Sequence, residues 1–133
     1  MSAMTDDTAP PAPARAGRNI MAVASGKGGV GKTWFAVTLA HTLSRRGVRT
    51  LLFDGDLGLA NIDLQLGLMP DRDLGHVVDE DLPIEDAVIS FADRFDVIAG
   101  KAGSASLAHM EQPRLLRLRD RLLAIAGRYD RVV

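Results

Sequence analysis

Eight residues carry the densest chemistry in this sequence. "GKGGVGKT", Gly26 to Thr33, matches the spacing G-x-x-x-x-G-K-[ST]. Gly26 and Gly31 let the backbone curl so that N–H groups point inward, with no Cβ between them and a bound anion. Lys32 supplies a cation within reach of β- and γ-phosphates, and the Thr33 hydroxyl can ligate Mg²⁺. A helix that starts here adds its free N–H groups and the positive end of its dipole. The pattern does not require Lys27, which taken alone reads as a solvated surface lysine.

A second group of candidates follows in "FDGDLGLANIDLQLGL". Asp54 and Asp56 stand at the end of an apolar run, where ligands bind in open parallel sheets. Aspartate and glycine also start ordinary polar loops. Next to a phosphate loop, a carboxylate here can orient a water or support the shell of a cation.

These residues need a scaffold, and the rest of the chain spells one. "NIMAVAS" (Asn19–Ser25) reads as a buried strand that ends on the glycine loop. A helix is predicted from Lys32 to Arg46, with Phe35, Leu39 and Leu43 on one face and Ala36 and Ala40 beside it. Arg45, Arg46 and Gly47 suit its C-terminus. "VRTLLFD" is a second strand, with one helical turn after it near Asn61–Leu66. "LGHVVDEDLPIEDAVI" reads as short helices, with Pro83 at a first helical position. Phe95–Gly100 is a third strand. Pro113 opens a helix ending near Gly127, with Leu115, Leu118, Leu122 and Ile125 on one side and Arg114, Arg117 and Arg121 on another. Tyr129–Val133 starts a fourth strand. Apolar strands alternating with helices predict an α/β fold: a doubly wound, mostly parallel sheet in three α/β/α layers.

Composition narrows the function classes. The chain has 133 residues, enough for one compact domain with a core. Its formal charge of −1 argues against a strongly basic nucleic-acid binder. Without cysteine it has no disulfide or thiolate metal site, which suits a reducing cytoplasm. No apolar run is long enough to span a membrane, and no secretory signal pattern opens the chain. Residues 1–18, rich in Ala and Pro, read as a disordered tail; a short docking motif is the second reading. His41, His76 and His109 lack metal-ligand spacing. Gly100–Ser104 ("GKAGS") reads as a strand-to-helix connection rather than a second anion loop. The arginines of the last helix, Arg119 among them, read as a solvated face.

Within this frame "KGGVGKT" resembles the deviant Walker A motif of the MinD/ParA family of P-loop ATPases, and "FDGDLGLANIDLQLGL" resembles the switch I segment of its MinD-type members, in particular the FlhG/FleN group. The resemblance runs from about Ile20 to the C-terminus and is strongest over residues 25–68. It implies ATP and Mg²⁺ as ligands, with phosphate contacts from Gly26, Lys27, Gly28, Gly29, Val30, Gly31, Lys32, Thr33 and the Trp34 amide. It implies that Lys27 reaches across an ATP-joined homodimer to the partner's phosphate. Asp56 would position the hydrolytic water, Asp54 would act nearer the metal beside Thr33, and Asn61 and Asp63 would lie near the dimer face.

The implied role is a cytoplasmic spatial switch with a flagellar or division-site partner, peripheral at the inner membrane in a full-length form. The membrane enters only with a C-terminal amphipathic helix. A ParA-type DNA-partitioning ATPase is the second reading, against which "DLGLAN" favours the flagellar or MinD-type branch. A non-catalytic nucleotide-binding or interaction piece is the third. Trp34 departs from the small or polar residue of many relatives, and the tail shows no segment of the kind some FlhG proteins use to stimulate a GTPase partner. Family members run to about twice this length, so residues 19–133 read as the N-terminal half of the domain, cut before switch II and the adenine contacts, with little turnover expected of it alone.

Overall fold

The computed structural model describes residues 17–26, 31–56, 60–101 and 109–133. Helix α1 (Lys32–Arg45) leads into β1 (Thr50–Phe53), and two short helices follow, α2 (Ile62–Leu66) and α3 (Leu74–Asp79). A 3-10 turn (Ile84–Ala87), β2 (Val88–Ala92), β3 (Phe95–Ile98), α4 (Gln112–Ala126) and β4 (Arg131–Val132) complete the order.

Four strands form one sheet in the order β2-β3-β1-β4. β1 lies parallel to both β3 and β4, with Leu52 opposite Val97 and Leu51 opposite Val132. Successive strand residues point to opposite faces, and both faces are covered. Leu51, Ile98 and Val132 pack with Leu74 and Val77 of α3 and with Leu118 and Ile125 of α4. Leu52, Val97 and Val133 pack with Ala36 and Ala40 of α1 and Ile62 of α2. The result is the expected three-layer α/β arrangement.

Four expectations are corrected. Val88–Ala92 forms an edge strand antiparallel to β3, where only short helices were expected. The turn between them, Asp93–Arg94, places Arg94 in the left-handed region at φ 56. Pro83 precedes the 3-10 turn as its cap instead of occupying its first position. Asn19–Ser25 makes one parallel bridge, Ile20 to Val132, rather than a strand. On α1 the buried stripe is Ala36–Ala40–Ser44, not the Phe35 face; Phe35 is 53% exposed. Small side chains at four-residue spacing let the helix backbone lie close to the sheet.

The end of the sheet where β1, β3 and β4 begin is tied by polar contacts. The Asn19 amide donates to the carbonyls of Ala126 (2.7 Å) and Tyr129 (2.9 Å). The Tyr129 hydroxyl donates to Asp96 Oδ2 at 2.7 Å, and the Arg49 guanidinium lies 5.2 Å from the centre of its ring. Burial, with Asp96 beside it, pushes the phenol well above its ordinary range. Tyr129→Phe is expected to lower stability by about 1–2 kcal/mol, since it removes a charge-assisted hydrogen bond while keeping the ring. Urea melts at neutral pH check this; an unchanged midpoint would show the bond to be idle.

Of the arginines expected as a stripe, Arg121 donates to the Leu82 carbonyl and pairs with Asp81, while Arg114 and Arg117 lie exposed.

Candidate functional site

The site is built where α1 begins and β1 ends. Gly31 precedes the helix at φ 82, a left-handed conformation that a side chain disfavours. Its carbonyl accepts the first helical bond, from Phe35 N at 2.9 Å. Among the described residues no side chain caps the helix. The Lys32, Thr33 and Trp34 amides thus sit in the first turn, where no intrahelical acceptor exists. That is the arrangement an anion needs. The Trp34 ring is 66% exposed, so its size is accommodated outside the core.

Asp54 follows β1 and is buried at 6% exposure. Its Oδ1 accepts from Asp56 N at 3.2 Å, and its Oδ2 accepts from Asn61 N at 3.1 Å and Ile62 N at 3.3 Å. Burial pushes the carboxyl above its ordinary value near 3.8, and the backbone donors pull the other way. The visible work of Asp54 is thus to tie the backbone amides of Asp56, Asn61 and Ile62 to the end of β1.

Packing fixes the same segment from below. A Cβ built on Gly100 would lie 2.5 Å from the Ala60 Cβ and 3.1 Å from the Asp54 carbonyl oxygen. Only glycine fits at that contact. Gly100 therefore serves the site as a packing floor. Gly103 and Ser104 of the same stretch lie outside the described residues.

Two adjacent residues of α1 reach this segment. Lys32 Nζ lies 3.2 Å from Asp56 Oδ2, each side chain about one-third exposed (32%). Thr33 Oγ1 donates to Asn61 Oδ1 at 3.1 Å. Lys32, Thr33, Asp54, Asp56 and Ile62 line a cleft of about 580 Å³ together with the run that ends in Ser25. Among the described residues no three His, Cys, Asp or Glu side chains are arranged to hold a metal ion. A cation here would take most of its ligands from phosphate and water, as Mg²⁺ does in phosphoryl-transfer sites.

The structure brings together Lys32, Thr33, Asp54 and Asp56, which the sequence singled out. Lys27, Gly28, Gly29 and Val30 lie outside the described residues, as do residues 1–16 of the expected tail. Asn61 was noted in sequence only as lying near a dimer face; its bond to Thr33 carries no local signal, because the partners are 28 positions apart. The Gly100–Ala60 contact was missed for the same reason.

A family model for the CobQ/CobB/MinD/ParA nucleotide binding domain matches residues 21–130. The chain belongs to this family.

Among its relatives in the MinD/ParA family, the antiactivator FleN of Pseudomonas aeruginosa is 40% identical over 91 residues, which cover 68% of this chain and 32% of FleN. The flagellum site-determining protein YlxH of Helicobacter pylori is 30% identical over 90 residues, 68% of this chain and 31% of YlxH. The chain thus spans about a third of the curated relatives it matches. The septum site-determining protein MinD of Pyrococcus horikoshii, solved with Mg-ADP, superposes with a TM-score of 0.73 at 30% identity, covering 86% of this chain and 46% of that one. These likenesses place the chain with the MinD-type, FleN-like members of the family, on an α/β P-loop fold. No helix among the described residues is long and apolar enough to cross a membrane.

Proposed function

We propose that this MinD/ParA-family chain binds Mg-ATP in the cleft over α1 and takes part in an ATP-driven dimerisation switch that controls the placement or number of a cellular structure, the flagellum or the division site. The observation that carries the reading is the meeting of two elements at one opening. The first turn of α1 presents amides, Lys32 and Thr33; the segment after β1 presents Asp54 and Asp56 on the same cleft, and Asn61 is bonded to Thr33. The FleN and YlxH matches favour a flagellar process.

The residues fit a Mg-nucleotide. The Thr33 hydroxyl spends its one proton on Asn61 and keeps its lone pairs for a cation. Gly26, Gly31 and the α1 amides with Lys32 would hold phosphate oxygens, and Trp34 would contribute only its amide. Gly28, Gly29 and Val30 would complete the loop. Bound Mg²⁺ supplies charge neutralisation at the β- and γ-oxygens. Asp56 would hold a water in line for hydrolysis, and Asp54 would keep Asp56 and Asn61 in register while facing the cation through water. Lys27 would place a second cation on the partner's phosphate, where charge on the transferring group is stabilised.

Light scattering of the purified chain with Mg-ATP, Mg-ADP or no nucleotide tests this. The expected result is a dimer with ATP alone, and Lys27→Ala is expected to lose the dimer while still binding nucleotide as a monomer. Failure to bind Mg-nucleotide at millimolar concentration would overturn the reading; a Lys27→Ala protein that dimerises normally would overturn the trans role.

A further inference from the structure

Asn61 stands immediately before α2, the position from which an asparagine side chain ordinarily accepts a hydrogen bond from its own helix. Here it does not: the side chain makes no capping bond. Its Oδ1 turns instead to α1 and accepts from Thr33 Oγ1 at 3.1 Å. A local preference is given up for a contact between elements, which is common where a site is being shaped.

The backbone that aims this side chain is held from three directions. Asn61 N donates to Asp54 Oδ2, and the next amide, Ile62 N, donates to the same oxygen. The preceding residue, Ala60, is buried against Gly100, whose missing Cβ leaves room for it. The Asn61 carbonyl accepts from Gln65 N at 3.1 Å, starting α2. Asn61 is thus a half-exposed residue on a rigid mount.

A threonine hydroxyl has one proton and two lone pairs. To ligate a cation it must offer a lone pair and send its proton elsewhere. Among the described residues that proton has one destination, Asn61 Oδ1.

We propose that Asn61 is a positioning residue for the cation: by accepting the Thr33 proton it turns the hydroxyl lone pairs toward Mg²⁺ and so sets how much Mg²⁺ strengthens nucleotide binding. The proposal rests on the reading of the cleft as a Mg-nucleotide site, and its signature is specific. Losing a partner that orients a metal ligand weakens metal affinity by about 10-fold to 100-fold. Nucleotide held without metal depends on the amides and Lys32, which Asn61 does not touch.

The test is equilibrium binding of a fluorescent ATP analogue, measured with MgCl₂ and again with EDTA, on the parent chain, Asn61→Ala and Asn61→Asp. Asn61→Ala is expected to bind within about twofold of the parent in EDTA and to lose about tenfold of the gain that Mg²⁺ brings. Asn61→Asp keeps an acceptor oxygen in the same place and is expected to retain that gain. An undiminished gain in Asn61→Ala overturns the proposal. So does an equal loss with and without Mg²⁺, the mark of a plain structural tie between α1 and α2. If Asn61→Ala does not fold, loss of the gain in Asn61→Asp overturns it equally. A parent chain that binds nucleotide with no help from Mg²⁺ also overturns it while leaving the nucleotide reading intact. A parent chain that binds no nucleotide at all removes both.

Discussion

Lys32→Ala is expected to weaken Mg-nucleotide binding about 100-fold while leaving the fold intact. The lysine opens α1, so its ammonium adds to amides and a helix dipole that already favour an anion. Charge-assisted hydrogen bonds are worth about 1.5–3 kcal/mol each, and the upper end of that range corresponds to roughly two decades in affinity. Stability should change little. The Lys32–Asp56 pair is about one-third exposed, and ion pairs in such surroundings contribute at most about 1 kcal/mol.

The same pair gives the experiment its control. Asp56, paired with Lys32, would compete with a bound phosphate for it, so Asp56→Asn should bind nucleotide as tightly as the parent or a few-fold more tightly. Calorimetric titration of the three proteins decides the matter. A Lys32→Ala affinity within threefold of the parent would mean that the phosphate sits elsewhere.

Asp54→Ala is expected to cost about 2–4 kcal/mol of folding stability. One buried amide, Ile62 N, and two half-buried amides, Asp56 N and Asn61 N, lose their acceptor together, and unsatisfied buried donors are expensive. Urea denaturation measures it, and a loss under 1 kcal/mol would show that the segment has another anchor.

The titration of Asp54 gives a second reading of the same site. Its native pKa lies above the ordinary value near 3.8 because burial disfavours the charged form. Between those two values the folded chain holds a proton that the unfolded chain has released. Stability from this group therefore falls as pH rises from about 4 through the native pKa, and is level above it. Asp54→Asn should lack that slope when its melts are compared with the parent's over the acid range.

Sequence showed the parts of the site whose information is local. Gly26, Gly31, Lys32 and Thr33 are spaced by a loop and the start of one helix, and Asp54 closes one apolar run; such patterns survive without tertiary context. Helix α1 ends within one residue of the expected Arg46 because Gly47 takes a left-handed cap, at φ 84. What stayed hidden depends on neighbours. Val88–Ala92 follows a proline and two acidic residues that look like a helix start, and it becomes a strand only because β3 lies beside it. Phe35 has the hydrophobicity of a core residue, but Ala36 and Ala40 bring the helix too close to the sheet to leave room for it there. The Thr33–Asn61 bond and the Ala60–Gly100 contact join segments far apart in the chain.

That last contact has a consequence for how such a sequence can drift. Positions 60 and 100 share room for a single methyl group, which Ala60 occupies and Gly100 leaves free. A side chain at 100 would press on the Ala60 methyl and on the Asp54 carbonyl oxygen together. Removing the methyl at 60 would relieve the shorter of the two contacts a side chain at 100 makes, and leave the one with the Asp54 carbonyl oxygen. The acidic segment beside the phosphate loop is thereby guarded by a residue more than forty positions away that bears no functional group.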